Sequence, residues 1–185
     1  MPPLSYLKFM ERTDLINGLI EDNGFKSYLE IGFGDGINFS NVECEVKVSV
    51  DPCHKPTLLM TSDEFFKQNV NSFDLIFIDG LHQDDQVIRD VKNAFKVLNK
   101  DGIILIHDCK PRQEIHQSRE KKSVTWNGDV WKAIVELAKE GYNMELLPVD
   151  VTGIVKMVEG KKKFKVEKGE LNWDWYLSNY MKLWR

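Results

Sequence analysis

Cysteine is scarce in this chain: three residues in 185, at positions 44, 53 and 109, with no C-x-x-C pair. An odd, scattered set of thiols excludes a disulfide framework and reads as reduced cysteine in a cytoplasmic protein. No stretch of about eighteen apolar residues occurs, so no membrane-spanning helix is expected. The opening MPPLSYLKFMERTD lacks the basic-then-apolar order of an export signal. A basic excess is missing too. With 25 Lys and Arg against 29 Asp and Glu, the net charge is −4, which argues against a nucleic-acid partner. Repeats, low-complexity linkers and composition breaks are absent, so the chain reads as one domain over residues 1–185.

Against these absences stands the run Tyr28 to Gly36, YLEIGFGDG, in which a short apolar strand enters three glycines at alternate positions. Glycine has no Cβ and tolerates positive φ, so such a loop lets backbone approach a ligand closely. A dinucleotide fingerprint, G-x-G-x-x-G, would need glycine at position 37, where the chain has Ile37. The loop therefore suits a nucleoside cofactor better than a pyrophosphate. A nicotinamide-dependent oxidoreductase on the same kind of sheet is the competing class.

Strand and helix signals alternate along the chain. A helix capped by Thr13 or Asp14 closes near Asn23-Gly24; strands are expected at Tyr28–Ile31, Glu45–Val50, Thr57–Met60, Phe73–Ile78 and Ile103–Ile106. Ser62-Asp63-Glu64 should cap a short helix, and Asp84 and Asp85 a longer one carrying Val87, Ile88, Val91, Ala94, Phe95 and Leu98. Val130 to Ala138 marks another helix. Met144–Val149 and Gly153–Val158 follow as an antiparallel pair, and an aromatic helix over about residues 172–184 ends the chain. The expected fold is α/β: a three-layer, doubly wound, mainly parallel seven-stranded sheet with an antiparallel C-terminal hairpin strand.

Polar residues close four of these strands: Glu30 with the glycine loop, Asp51, Asp79 with His82, and His107 with Asp108. In a parallel sheet such ends share one edge, where ligands bind. Asp51, nineteen residues after Gly32, is placed to accept hydrogen bonds from a ribose diol, or else simply caps a turn. His82 offers a general base with a pKa near neutrality, or caps the helix that follows.

The ordered set YLEIGFGDG, VSVDP, FDLIFIDGLH and GIILIHDC resembles class I S-adenosylmethionine-dependent methyltransferases. It is closest to a small bacterial group with IDGLH, HDC and WNGDVWKA, the last present at Trp126 to Ala133. The resemblance covers about residues 25–158. It implies that Glu30, Gly32, Gly34 and Gly36 serve the methionine end of S-adenosylmethionine, Asp51 its ribose and Asp63 its adenine. Asp79 would lie near the reacting methyl. His82, Asp79, His107 and Asp108 would surround a small polar acceptor such as a sugar or sugar derivative, methylated on oxygen. For His107 and Asp108 two readings stay open: proton transfer or acceptor orientation, and a share with Asp79 in a magnesium site, which the nitrogen of His107 disfavours. A zinc site from Cys53, His54, His107 and Cys109 matches no usual ligand spacing. A binding module that keeps the cofactor pocket without turnover is the remaining alternative.

The segment from Lys110 to Thr125 carries five Lys and Arg against two Glu. It is expected to be either a lid whose Arg112 and Arg119 hold an anionic acceptor or a solvated loop. Trp126 is expected to pack and Asn127 to cap a helix, with acceptor contact as the alternative for both, and Lys161–Lys163 to be solvated surface. The terminal aromatics are expected to pack on the sheet or on a second subunit as a homodimer.

Overall fold

A computed structural model describes residues 10–147, 149 and 151–185. The opening stretch up to residue 9 and the end of the sixth expected strand (residue 148) lie outside the described residues. Seven strands form one sheet: β1 (Ser27–Ile31), β2 (Val46–Asp51), β3 (Leu58–Leu59), β4 (Phe73–Ile78), β5 (Leu98–Ile106), β6 (Tyr142–Leu147) and β7 (Ile154–Lys161). Their spatial order is β3-β2-β1-β4-β5-β7-β6. All neighbouring pairs from β3 to β5 are parallel, and β7 runs antiparallel to both β5 and β6. The helices are α1 (Arg12–Asn23), α2 (Ile37–Asn41), α3 (Ser62–Gln68), α4 (Asp84–Ala94), α5 (Val130–Lys139) and α6 (Trp173–Asn179).

Two apolar clusters, one on each face of the sheet, explain why the central strands read as near-continuous apolar runs. The two-residue period of β4 sends Ile76 and Ile78 to one face and Leu75 and Phe77 to the other, while Phe73, before the register shift, joins the first. The first face meets Val87, Val91 and Ala94 of α4 and Ile134 and Leu137 of α5. The second meets Ile16 and Ile20 of α1. In β1 the same alternation puts Tyr28 on the α1 face and Leu29 and Ile31 opposite. Glu30 therefore follows Tyr28 toward α1 and α2.

Local signals set the boundaries with a few shifts. Gly24 closes α1 in the left-handed region, but Glu11 precedes the helix without a side-chain cap, so Thr13 and Asp14 lie inside it. At α3 the cap is Thr61, one residue before the expected Ser62: its hydroxyl accepts from the Glu64 amide while Glu64 reaches back to the Thr61 amide. Gln83 precedes α4 and Asp84 and Asp85 sit in its first turn, where they complement the helix dipole without capping it. Leu98, expected on that helix, pairs instead with Phe73 at the start of β5. The pairing then slips and resumes at Leu75 with Ile103, across an Asn99–Gly102 excursion that Asn99 ties to Asp74 and Asp101 turns with φ 62°.

The C-terminal aromatics pack on α5. Trp131, fully buried, stacks on Trp175 at 6.0 Å and meets Tyr176 and Tyr180 edge-on, while its indole N–H donates to Gln117 at 2.7 Å. Tyr176 adds a hydroxyl donated to the Pro111 carbonyl at 2.9 Å, tying α6 to the segment after β5. Within the chain, then, the terminal aromatics pack on α5. Trp131→Ala is expected to cost about 3–5 kcal/mol in urea unfolding, and a loss below about 1 kcal/mol would show that the cluster contributes little.

Candidate active site

The carboxyl ends of β1, β2 and β4 open into a cavity of about 450 Å³ lined by Gly32, Gly34, Asp51, His54, Asp63, Asp79 and Gln86 among others. Gly32 makes this edge possible. Its φ is 92°, and a Cβ there would lie 2.1 Å from the Asp79 carbonyl oxygen. Any side chain would push β1 and β4 apart at the rim. Asp51, closing β2, receives the Phe33 amide at 2.8 Å, the Cys53 amide at 2.7 Å and weaker contacts from Gly34 and His54 at 3.4 and 3.3 Å. Partial burial opposes its charge, but these donors outweigh it and hold its carboxyl below the usual range. Asp63 stands across the cavity on α3 and accepts from Gln86 at 3.3 Å.

Two residues that the resemblance gives to the cofactor lie elsewhere. Glu30 is not part of the cavity wall. It is buried on the opposite face, where the Tyr28 hydroxyl and the Asn38 amide (2.7 Å) donate to it. Burial raises its pKa from 4.5 to about 7 despite those donors. Gly36 precedes α2 with φ 77°, and a Cβ there would strike the Phe33 ring rather than a ligand. Both therefore support the loop from behind.

Beyond Asp79 the acids and histidines gather as expected. Asp79 Oδ1 lies 3.0 Å from His107 Nδ1 and 3.2 Å from His82 Nε2, and its Oδ2 pairs with Arg12 at 3.0 Å. Asp108 Oδ2 is 3.4 Å from His82 Nε2 and 3.3 Å from His107 Nδ1. Burial works against the Asp79 charge, but His107 and His82 prevail and hold its carboxyl well below the usual range. His82 Nδ1 lies 3.0 Å from the Trp126 carbonyl, which only accepts, so Nδ1 carries a proton and Nε2 is the titrating atom. Burial lowers the His82 pKa, yet the hydrogen bond to Asp79 and the charge of Asp108 more than reverse this and raise it.

The WNGDVWKA segment belongs to this site through residues that local patterns do not mark. Trp126 stacks on His82 at 4.9 Å, which agrees with its expected packing role. Asn127 does not cap α5; it is buried and donates to Asp108 Oδ1 at 2.8 Å. Gly128, with φ 58°, lies so close to His82 that a Cβ would come within 1.8 Å of its carbonyl oxygen. Arg119 bonds Asp84 at 2.7 Å and also meets Asp85, Asp129 and Gln83, so it docks the 110–129 segment beside α4. Arg112 stays exposed. Cys53 and Cys109 do not meet: one is exposed beside Asp51, the other buried at the end of β5. Among the described residues, the group able to hold a metal is Asp79, His82 and Asp108, whose donor atoms lie within 4.8 Å of one another.

This sheet order, with one antiparallel strand inserted next to the edge and a cavity at the β1, β2 and β4 ends, is a Rossmann-like arrangement shared with solved methyltransferases. Residues 46–109 match a family described as a methyltransferase domain. That match spans the chain from β2 to just past β5, and the fold is that of the solved methyltransferases to which the chain is similar. Among solved structures, the chain is similar to a protein assigned as a caffeoyl-CoA O-methyltransferase from Staphylococcus aureus, with TM-score 0.60, 19% identity and coverage of 80% of this chain and 82% of that one. An S-adenosylhomocysteine-bound methyltransferase from Podospora anserina matches with TM-score 0.59, 18% identity and coverage of 80% and 78%. An O-methyltransferase from Bacillus cereus in complex with S-adenosylhomocysteine matches with TM-score 0.57, 15% identity and coverage of 80% of both chains. Comparison with curated proteins returned no match.

The displaced Glu30 yields a measurable consequence. Its folded pKa of about 7 exceeds 4.5, so the folded state binds more protons than the unfolded state between those values. Stability from this group is therefore full below pH 4.5 and falls as pH rises toward 7. Glu30→Gln is expected to flatten that decline in melting temperature; an unchanged slope would mean that Glu30 is ionised without penalty.

Proposed function

We propose that the protein transfers a methyl group from S-adenosylmethionine to a hydroxyl oxygen of a small polar acceptor such as a sugar or sugar derivative. One observation carries this reading. Asp79 both lines the nucleoside-sized cavity and belongs to the His82–His107–Asp108 cluster, so a bound cofactor and a reacting hydroxyl would meet at one residue. The cofactor supplies an electrophilic methyl on a sulfonium. Asp51 is positioned for the ribose diol, Asp63 and Gln86 for the adenine edge, and Asp79 for the positive charge of the sulfonium end. A nucleotide with a pyrophosphate would meet three carboxylates in the same cavity, which disfavours the nicotinamide alternative.

On the acceptor side, His82 Nε2 is the proton-accepting atom, oriented by the Trp126 carbonyl and stacked beneath the Trp126 ring. The carboxylates that raise its pKa move its basic form to higher pH than in a free histidine. Asn127 holds Asp108 in place. Exposed Lys110, Arg112, Lys121 and Lys122 are the groups left to attract an anionic acceptor, because Arg119 is committed to its own acids.

A divalent cation is the second reading, favoured by the convergence of Asp79, His82 and Asp108. Two carboxylates and an imidazole whose other nitrogen is already fixed suit a manganese-like ion better than magnesium. A cation bound there would lower the pKa of an oxygen that it holds. It would need the same Nε2 electron pair that the base needs, so the two readings exclude each other at His82.

Calorimetry with S-adenosylhomocysteine tests the cofactor assignment. Binding is expected for the wild type, with a loss of about 10- to 100-fold in Asp51→Asn. Binding of NADH in its place would overturn it. Manganese titration followed by electron paramagnetic resonance separates the two acceptor-side readings. Saturable binding lost in Asp108→Asn supports the cation, and no binding leaves His82 as the base.

A further inference from the structure

Three members of the acid–histidine cluster stand off the cavity wall. The cavity is lined by Asp79 and Leu81 but not by His82, His107 or Asp108, whose side chains keep 16%, 7% and 9% exposure. What shuts them in is the segment between β5 and α5. It is folded on itself: the Trp126 indole N–H donates to the Ser118 carbonyl at 2.6 Å, and the Asn127 amide to the His116 carbonyl at 2.9 Å. That fold lays the Trp126 ring on His82. Its tip is not packed on the body, since Val124 is 99% exposed. The covered state also leaves His116 Nδ1 and Asn127 Oδ1 buried without a hydrogen-bond partner among the described residues, a desolvation penalty on closure.

Two neutral hydrogen bonds hold the first half of the segment, from Tyr176 to Pro111 and from Trp131 to Gln117. Beyond Gln117 the tie is ionic. Of the segment's basic residues, Arg119 alone forms ion pairs among the described residues: Nη1 meets Asp84 at 2.7 Å and Asp129 at 3.3 Å, and Nη2 meets Asp85 and, at 3.2 Å, Gln83. Asp129 also takes the Asp84 amide at 2.9 Å, and its own amide donates to the His82 carbonyl at 3.1 Å, so the guanidinium closes a ring beside His82. At 46% exposure these contacts are open to water and salt, as a reversible latch requires. We propose that residues 118–125 form a lid over the acceptor site, latched by Arg119 as a positioning residue. Docked, the lid holds the Trp126 ring on His82 through the Ser118 carbonyl. Released, it frees that ring while the Trp126 carbonyl stays on His82 Nδ1, and it opens His82 Nε2 and Asp108 to an acceptor. This rests on the reading of His82 as the acceptor-side group.

Diethyl pyrocarbonate, which acylates an accessible unprotonated imidazole nitrogen, reports on the lid without any ligand. The full chain is treated at about pH 8, and peptide mass spectrometry follows His82 relative to His54, which is exposed beside Asp51. Arg119→Ala is expected to raise the His82-to-His54 ratio about 3- to 10-fold. The double variant Asp84→Asn, Asp85→Asn, which removes partner charges and leaves Arg119 in place, is expected to raise it in the same direction. Arg119→Lys should raise it less than alanine does, because one ammonium keeps the charge but cannot span four partners. Thermal melts check that each variant is folded. An unchanged ratio in Arg119→Ala, or a rise only where the melts show partial unfolding, would overturn the lid and leave Arg119 as a surface pairing. Calorimetry of the same variants with S-adenosylhomocysteine keeps this apart from the cofactor reading. Affinity within about twofold of wild type agrees with a lid off the cavity, and a loss above about tenfold would contradict it. Failure of the wild type to bind would strike the cofactor reading alone.

Discussion

The Asp79 carbonyl occupies the space where a side chain on residue 32 would begin. This backbone approach between the ends of β1 and β4 is the constraint from which the rest of the site follows. It brings the glycine loop against the strand that carries Asp79, so the cavity and the acid–histidine cluster share a wall. A methyl group there would amount to a wedge between two hydrogen-bonded strands. The same requirement recurs at Gly128, where a Cβ would collide with the His82 carbonyl. Two glycines far apart in sequence therefore set the two sides of one site, and neither position tolerates a side chain without moving a functional residue.

Charge balance is the second organising feature. Asp79 and Asp108 stand close enough to repel, and His82, His107 and Arg12 offset them. Because His82 donates Nδ1–H to a carbonyl, its other nitrogen faces both acids, which favour a proton or a cation on it. The cluster is thus poised around one exchangeable positive charge. The 110–129 segment keeps this arrangement out of bulk water: Trp126 covers His82, Asn127 backs Asp108, and Arg119 anchors the whole to the acids flanking α4.

Much of this was legible from residues alone, for identifiable reasons. Buried parallel strands leave near-continuous apolar runs, so β4 and the second half of β5 stood out, and the acids that end them fell on one rim because parallel strands share a direction. The antiparallel pair was legible from the short separation of two apolar runs. Glu30 lies off the cavity wall: its position in the glycine motif suggests the ligand side, whereas two-residue alternation with buried Tyr28 turns it inward. The early start of β5 was hidden by Asp101-Gly102, which reads as a turn but is an excursion within one pairing. Arg12 carries no local signal, and Asn127 and Gly128 are marked by the WNGDVWKA resemblance but not by any pattern that gives their contacts. Their contacts span sequence separations of 67 and 19 residues in the case of Arg12 with Asp79 and Asn127 with Asp108, and only the assembled sheet brings them together. The helical cap at Thr61 could have been found from its T-x-x-E spacing to Glu64.

The central claim, that successive strand ends converge on one sulfonium nucleoside, is tested most directly by a crystal structure with S-adenosylhomocysteine. The account predicts the ribose diol on Asp51, the adenine beside Asp63 and the thioether sulfur next to Asp79. A nucleoside bound elsewhere, or one whose sulfur lies away from the Asp79–His82–Asp108 cluster, would contradict it.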